Sequence, residues 1–372
     1  MNRSRAVVLV LASAILLTCP RSFANGHTNV QTVFLILMEN VTWSTIKGST
    51  SAPYINTALL PRSSYADNYF TAPNTSGSLP QYLWLEAGTN FGINDSNDPS
   101  AHHLSTTNHF TLQLERAGIS WRAYAESISG STCPTTSSGV YAAFHNPYVY
   151  FDDIYTNSTR CTNYVRPYPE LARDLTNQTV ARYNFIIPNL CDDMHNSTGC
   201  ATTDRVKNGD DWLASEIPKL LASQAYSNNG AIFVTWDEGT GGAAGPFGTI
   251  ILSPWAKGGG YRNTNRFDHA STLRTVQEIF AVRPFLYAAS NATSIADLFK
   301  PVIRLSAPSL TSTGFQFTVT GLATNKSNFF QFSPDLATWT TLLTNMLSTN
   351  SFRFTDAATN SVQRFYRVLQ SF

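Results

Sequence analysis

The chain has 372 residues, a formal net charge of +1 and 13% charged residues, against roughly 25% in globular proteins generally. That length holds one large domain and a small one. The near-balance of acids and bases leaves no basic stripe of the kind nucleic-acid binding needs, so that class is excluded.

The chain opens "MNRSRAVVLVLASAILLTCPRSFANG": two arginines, an apolar run, then small residues. This is the form of a secretory signal peptide, residues 1–24, with cleavage after Ala24. Without Arg3, Arg5 and Arg21 the mature chain carries 22 basic and 24 acidic residues, a net of −2. No later apolar run is long enough to span a bilayer, so the expected product is soluble, secreted or periplasmic. Cys133, Cys161, Cys191 and Cys200 then remain. Four cysteines in an exported chain suggest two disulfides, with three possible pairings. The nearest-neighbour scheme, Cys133 with Cys161 and Cys191 with Cys200, is the preferred one. A zinc knot is disfavoured because there is no Cys-x-x-Cys pair.

After the signal, "VFLILM" (33–38) predicts a strand apolar on both faces. Residues 40–80 read as loops and insertions, and "HFTLQLERAG" (109–118) has helical spacing. Residues 125–180 read as loops again, followed by the strand "YNFIIP" (183–188) and a loop over 190–209. "GDDWLASEIPKLLAS" (209–223) predicts a helix opened by a capping Asp. "AIFVTW" (231–236) and "GTIILSP" (248–254) predict two more buried strands, and "ASTLRTVQEIF" (270–280) a helix capped at Ser271 or a neighbour. Strands alternating with helices predict an α/β fold, a mainly parallel sheet covered by helices on both faces. From about Ile303, "GFQFTVTGL", "SFRFTD" and "QRFYRVL" alternate apolar and polar residues. They predict a small antiparallel β module over 303–372, of sandwich type, behind a catalytic region over 30–300. The module is read as a spacer, or as an attachment to a surface or polymer.

In an open parallel sheet, ligands gather beyond the carboxyl ends of the strands. Those ends offer Glu39 and Asn40; Asn189, Asp192, Asp193 and His195; and Asp237 and Glu238. Taken singly, each is a polar turn. Stacked on one edge, the carboxylates would repel one another unless a cation lay among them. Oxygen donors of this kind suit one divalent ion such as Ca, Mg, Mn or Zn. A nucleophile is offered by "TSGSLPQYLWLEAG" (75–88), which sets Ser78 at the start of a helix, where N–H groups and the dipole favour an anion.

With these residues in view, the chain resembles the phosphoesterase family of bacterial acid phosphatases and phospholipases C, within the alkaline phosphatase-like superfamily. The resemblance runs over roughly residues 30 to 300. It is carried in order by "LILMEN", "GSLPQYLWLEAG", "GISWRAYAES", "FHNPYVYFDDI", "IPNLCDDMHNSTGC", "FVTWDEG" and "GTIILSPWAKGG" with "FDHASTLRTVQEIF". It implies that Glu39, Asn40, Asp237 and Glu238 bind the metal, with Ser78 both ligand and nucleophile. It implies that His145 and His195 contact the phosphoryl group or protonate the leaving group. His269 matches a position that belongs to a second metal site in wider relatives, and Asp193 is a candidate to bind or support the metal.

There are departures. Ser76-Gly77-Ser78 stands where His-Pro-Ser is common, Gln81 replaces the usual Asn, and the Gly-x-Arg-Val-Pro segment of the phospholipase C branch is missing. Thr75 and Ser76 are alternative nucleophiles, though the place before Leu-Pro favours Ser78. The resemblance therefore implies a secreted, metal-dependent acid phosphatase acting on phosphomonoesters through phosphoserine. A phospholipase C-like phosphodiesterase is the alternative, and a non-catalytic exported binding protein on the same scaffold ranks third. The oligomeric state is not legible in the sequence.

Overall fold

The computed structural model describes residues 26–322, 324–357 and 363–370. The signal peptide expected over residues 1–24 lies outside them. Among the described residues no helix is long and apolar enough to cross a membrane.

One sheet dominates. Its strands are β1 (Thr32–Met38), β2 (Ser64–Phe70), β3 (Trp121–Ala125), β4 (Val165–Pro167), β5 (Tyr183–Ile187), β6 (Gly230–Trp236), β7 (Phe247–Leu252), β8 (Tyr261–Asn263) and β9 (Phe267–Asp268). The order across it is β4-β3-β5-β1-β6-β7-β2-β8, with β9 also beside β2. From β4 to β6 every pair is parallel. The central strands β1, β5 and β6 are apolar and buried almost throughout, as strands covered on both faces must be. Fully burying a side chain such as Leu35, Ile36 or Leu37 contributes roughly 1.5–3 kcal/mol each.

The structure departs from the sequence expectation at several points. "GTIILSP" does form β7, but β7 runs antiparallel to β6 and β2. The 237–246 connection is too short to hold the crossover a parallel return requires. The stretch 40–80 is not all loop, because it contains β2, and 125–180 contains β4. The helix expected from 209 begins earlier, as Arg205–Leu221, with Asp204 accepting from the Lys207 N–H. The helix expected at 270–280 is His269–Ile279, and its cap is Asp268; Ser271 closes the reciprocal side of the capping box.

Six further strands follow: β10 (Arg304–Thr311), β11 (Gly314–Thr320), β12 (Ser327–Ser333), β13 (Thr340–Met346), β14 (Ser351–Asp356) and β15 (Phe365–Gln370). They form two antiparallel sheets, β10-β11-β14 and β13-β12-β15. Phe317, Val319, Leu322, Phe330, Phe354 and Val368 make a small hydrophobic cluster of their own, while the main cluster draws on residues from Val30 to Phe299. Disulfides join Cys133 to Cys161 and Cys191 to Cys200, the preferred pairing.

Candidate functional site

The parallel register builds the site. Met38 pairs with Trp236 across β1 and β6, so the residues that follow, Glu39 and Asp237, leave the sheet side by side. The Asp237 N–H donates to the Met38 carbonyl at 2.9 Å, and the Glu39 N–H to the Asp193 carbonyl at 2.7 Å. Three chain segments beyond the carboxyl ends of β1, β5 and β6 are thereby stitched together.

The helix Ser78–Ala87 supplies the hydroxyl. It is preceded by Gly77 at φ 86°, a left-handed conformation that favours glycine, and a Cβ there would sit 3.1 Å from the Ser96 Oγ. Pro80 falls in the first turn, where its missing N–H has no intrahelical partner to lose. Gly88 ends the helix at φ 74°, and a Cβ would stand 2.9 Å from the Leu286 carbonyl. Both ends are thus fixed by glycines, and Ser78 at the helix start is buried.

The Ser78 hydroxyl donates to Glu39 Oε2 at 3.0 Å. The Asn40 side-chain amide donates to the same oxygen at 3.2 Å. The Asn40 N–H donates to Asp237 Oδ1 at 3.0 Å, and the Glu238 N–H donates to that same oxygen. The Tyr82 hydroxyl donates to Glu39 Oε1 at 2.6 Å. Glu39, Asn40, Ser78 and Asp237 therefore converge. The Glu238 side chain stands outside these hydrogen bonds, while its N–H joins them through Asp237.

His145 is buried between two acids. Its Nε2 lies 3.4 Å from Glu39 Oε1 and its Nδ1 3.2 Å from Asp193 Oδ2. Its ring stacks on Tyr82, with centroids 5.1 Å apart and planes 4° from parallel. His195 is half-buried, its ring 6.0 Å from that of His145. The His195 N–H donates to Asp193 Oδ1 at 2.7 Å, and its Nδ1 lies 3.0 Å from the Asn196 carbonyl. His269 backs the site from below: Nε2 lies 2.7 Å from the Asp237 carbonyl and Nδ1 3.3 Å from the Tyr69 hydroxyl. A carbonyl only accepts, so Nε2 carries the proton and the Tyr69 hydroxyl donates to Nδ1. Both nitrogens of His269 are occupied by protein.

The electrostatics are those of crowded acids. Burial first, then Asp237 and Asp193, push Glu39 well above the usual carboxylate range. Burial does the same to Asp193 and raises Asp237; burial and Asp237 bring Glu238 up to about 7. Burial and the nearby His195 hold His145 well below its ordinary value, and burial takes His269 to about 4. Asp237 Oδ2, Asp193 Oδ2 and His145 Nε2 are buried without a hydrogen-bond partner, although His145 approaches both Glu39 and Asp193 within ion-pair range. Such orphans are rare in native interiors and call for an explanation.

Among the described residues no three His, Cys, Asp or Glu side chains form a metal-holding group by themselves. The convergent set is of a different type, because two of its four donors are Asn40 and Ser78. An acid-rich cluster of oxygen donors with an orphaned Asp237 oxygen fits a hard divalent cation.

Tyr82 was not singled out in the sequence. The signal was present in its spacing: it lies four residues after Ser78, on the same helical face. Two histidines outside the convergent set are also buried beside acids. His109 lies 2.9 Å from Glu86 and 3.4 Å from Asp153. His27 lies 3.2 Å from Glu278.

The chain is similar to known proteins. The Phosphoesterase family matches residues 57–283, a span that holds Ser78, Tyr82, His145, His195, Asp237 and His269 but starts after Glu39 and Asn40. A phosphatidylinositol-3-phosphatase of Mycobacterium tuberculosis is 26% identical over 80% of this chain and 94% of its own. A probable acid phosphatase of Kluyveromyces lactis is 26% identical over 66% of this chain and 56% of its own, so the chain spans about half of that relative. A solved Vibrio parahaemolyticus protein of the alkaline phosphatase superfamily overlays 86% of this chain and 83% of its own, with TM-score 0.47 and 10% identity. With that family covering more than half of its length, the chain belongs to the Phosphoesterase family and is a hydrolase of phosphate esters.

Proposed function

We propose that the protein is an exported, metal-dependent phosphomonoesterase of the acid phosphatase kind, with Ser78 as its nucleophile. The observation that carries this reading is the Ser78 hydroxyl at a helix N-terminus, 3.0 Å from Glu39 within a buried acid cluster. Glu39, Asn40, Ser78 and Asp237 would hold one divalent ion; Glu238, next in the chain to Asp237, would join or support them. Bound there, such an ion lowers the pKa of the serine hydroxyl and offsets charge on the phosphoryl oxygens.

The protein's own groups account for the rest. As the Ser78 oxygen attacks phosphorus in line, its proton passes to Glu39 Oε2, the oxygen it already faces; the bond to the leaving oxygen breaks, and that oxygen takes up a proton by way of His195. The helix N–H groups behind Ser78 stabilise the anionic phosphoryl group. His195 carries its proton on Nδ1 against the Asn196 carbonyl, so Nε2 is the nitrogen it presents to the substrate for proton transfer. His145, kept neutral by burial, contacts the phosphoryl oxygens. Water then attacks the phosphoserine from the opposite side, releasing phosphate and restoring Ser78. His269, with both nitrogens engaged, acts by bracing the Asp237 main chain. Residues 30–300 carry this chemistry, and 303–372 form a separate attachment or spacer module.

The likeness to a phosphatidylinositol-3-phosphatase favours one refinement, a phosphomonoester borne on a lipid headgroup. Turnover of p-nitrophenyl phosphate and bis-p-nitrophenyl phosphate by the parent, Ser78→Ala and Asp237→Ala tests the reading. Monoester hydrolysis lost in both variants supports it. Preference for the diester transfers the assignment to the phospholipase C-like alternative, and full activity in folded Ser78→Ala removes Ser78 as nucleophile. Comparison of a soluble inositol phosphate with phosphatidylinositol 3-phosphate in vesicles tests the refinement.

A further inference from the structure

One side chain touches two parts of the site without presenting a reactive atom. Tyr82 is 1% exposed. It lies one helical turn after Ser78, about 6 Å along the axis at 1.5 Å per residue. Its hydroxyl donates to Glu39 Oε1 at 2.6 Å, while the Ser78 hydroxyl donates to Glu39 Oε2 at 3.0 Å. Both oxygens of one buried carboxylate are therefore held by two hydroxyls from one face of one helix. The same tyrosine ring lies parallel to the His145 imidazole.

We propose that Tyr82 is a positioning residue: it fixes the rotation of the Glu39 carboxylate so that Oε2 faces Ser78, and it fixes the plane of the His145 ring. This rests on the reading of Ser78 and Glu39 given above. The physical argument is competition. His145 Nε2 stands 3.4 Å from Glu39 Oε1, outside hydrogen-bond geometry, and has no other partner. Were the tyrosine hydroxyl removed, Oε1 would lose its donor, and a small rotation of Glu39 would let it pair with His145 instead. That rotation draws Oε2 away from Ser78 and ties down the imidazole. Partners that orient a ligand in this way are commonly worth 10–100-fold in activity or metal affinity.

The test uses the full chain with Tyr82→Phe, which keeps the ring stack and removes only the bond, and Tyr82→Leu, which removes both. Each is compared with Ser78→Ala and Glu39→Gln. Two readouts are taken: kcat and KM on p-nitrophenyl phosphate, and calorimetric titration with Mg, Mn, Ca and Zn ions one at a time. Tyr82→Phe is expected to lower kcat by about 10–100-fold with KM within about threefold, and to weaken cation binding by a similar factor. Tyr82→Leu is expected to lose more, through His145. Because Tyr82 acts through Glu39, adding Tyr82→Phe to Glu39→Gln should weaken cation binding no further. Parental kcat and cation affinity in Tyr82→Phe, with Ser78→Ala inactive, would overturn the positioning role and leave the site reading intact. A further loss in the double variant equal to that of Tyr82→Phe alone would also overturn it, since Tyr82 would then act independently of Glu39. Activity retained by Ser78→Ala would remove the site reading and this inference with it.

Discussion

His145 and His109 are each about 1% exposed, and each imidazole lies within 3.4 Å of two carboxylates. Their protonation differs. Burial holds His145 well below its ordinary value. At His109 burial also acts downward, but the Asp153 and Glu86 carboxylates beside it outweigh it and bring the group up to about 9. The surroundings explain the contrast. Glu86 Oε1 accepts from the Thr111 N–H and hydroxyl as well as from His109, and Asp153 is also paired with Arg160. Around His145 stand Glu39, Asp193 and Asp237, and among the described residues no Lys or Arg pairs with any of them. The first cluster is compensated in charge, although Glu86 Oε2, His109 Nε2 and Asp153 Oδ1 there also lack hydrogen-bond partners, and it links the helix Ser78–Ala87 to the segment around Asp153 as a structural clamp. The second carries an excess of buried acid, which costs stability unless a cation offsets it, and such perturbation makes it the candidate functional site.

The largest expected effect tests whether the acid-rich cluster is the working one. Ser78→Ala should reduce monoester turnover on the order of 10³-fold or more while the thermal midpoint stays near that of the parent. A smaller loss would mean that Ser76 or Thr75 supplies the nucleophile. The histidines should then separate cleanly. His145→Gln is expected to cost about 10²–10³-fold in kcat, the loss of one contact to the phosphoryl oxygens, with stability within about 1 kcal/mol, because a neutral ring is exchanged for a neutral amide. His109→Gln should leave kcat unchanged and destabilise the fold at pH 6. Denaturant melts and initial rates on both variants check this, and a crossed outcome would break the comparison.

The pH dependence of the clamp follows from its sign. His109 is raised in the folded state, from an unfolded value near 6.5 to about 9. Its contribution is therefore fully present below the unfolded pKa and is lost as pH rises through 9. At 1.36 kcal/mol per pKa unit the contribution is about 3 kcal/mol. Unfolding free energies measured from pH 6 to 10 should fall in the parent across this window, and fall less in His109→Gln.

These same two clusters show what the sequence revealed. β1, β5 and β6 were legible because strands buried on both faces are unbroken apolar runs, and their ends gave Glu39, Asp193 and Asp237 directly. β2, "SYADNYF", was not legible. Its Asp67 interrupts the apolar pattern, and only the fold brings Trp43, Lys47 and Arg262 to hold that carboxylate. Tyr82 was hidden because an aromatic at helical spacing reads as core, and most of its ring is core; only its hydroxyl is not. His109 was hidden because its partners lie 23 residues before and 44 after it, joined by packing rather than by any local motif. Electrostatic compensation is a property of three-dimensional neighbours, so the difference between clamp and site could not be read from residue types alone.

The smallest predicted effect sharpens the comparison most. If the cluster at His145 is strained by excess acid, removing one charge from it should stabilise the metal-free protein even as activity falls. Asp193→Asn is the appropriate change. Asp193 Oδ1 accepts from the His195 N–H at 2.7 Å, and an asparagine oxygen keeps that bond. Its Oδ2, buried and without a hydrogen-bond partner, becomes an amide able to donate to Glu39 or to His145 once the side chains relax. After chelation, Asp193→Asn should be more stable than the parent by about 0.5–2 kcal/mol, measured by urea unfolding at pH 7. Adding divalent ion should narrow or reverse that gap, because the cation compensates the parent's charge and not the variant's. The matching change in the clamp, Asp153→Asn, should destabilise with and without metal, since there the carboxylate holds a protonated imidazole and an arginine. Equal signs for the two variants would mean that the acids around His145 are as well compensated as those around His109.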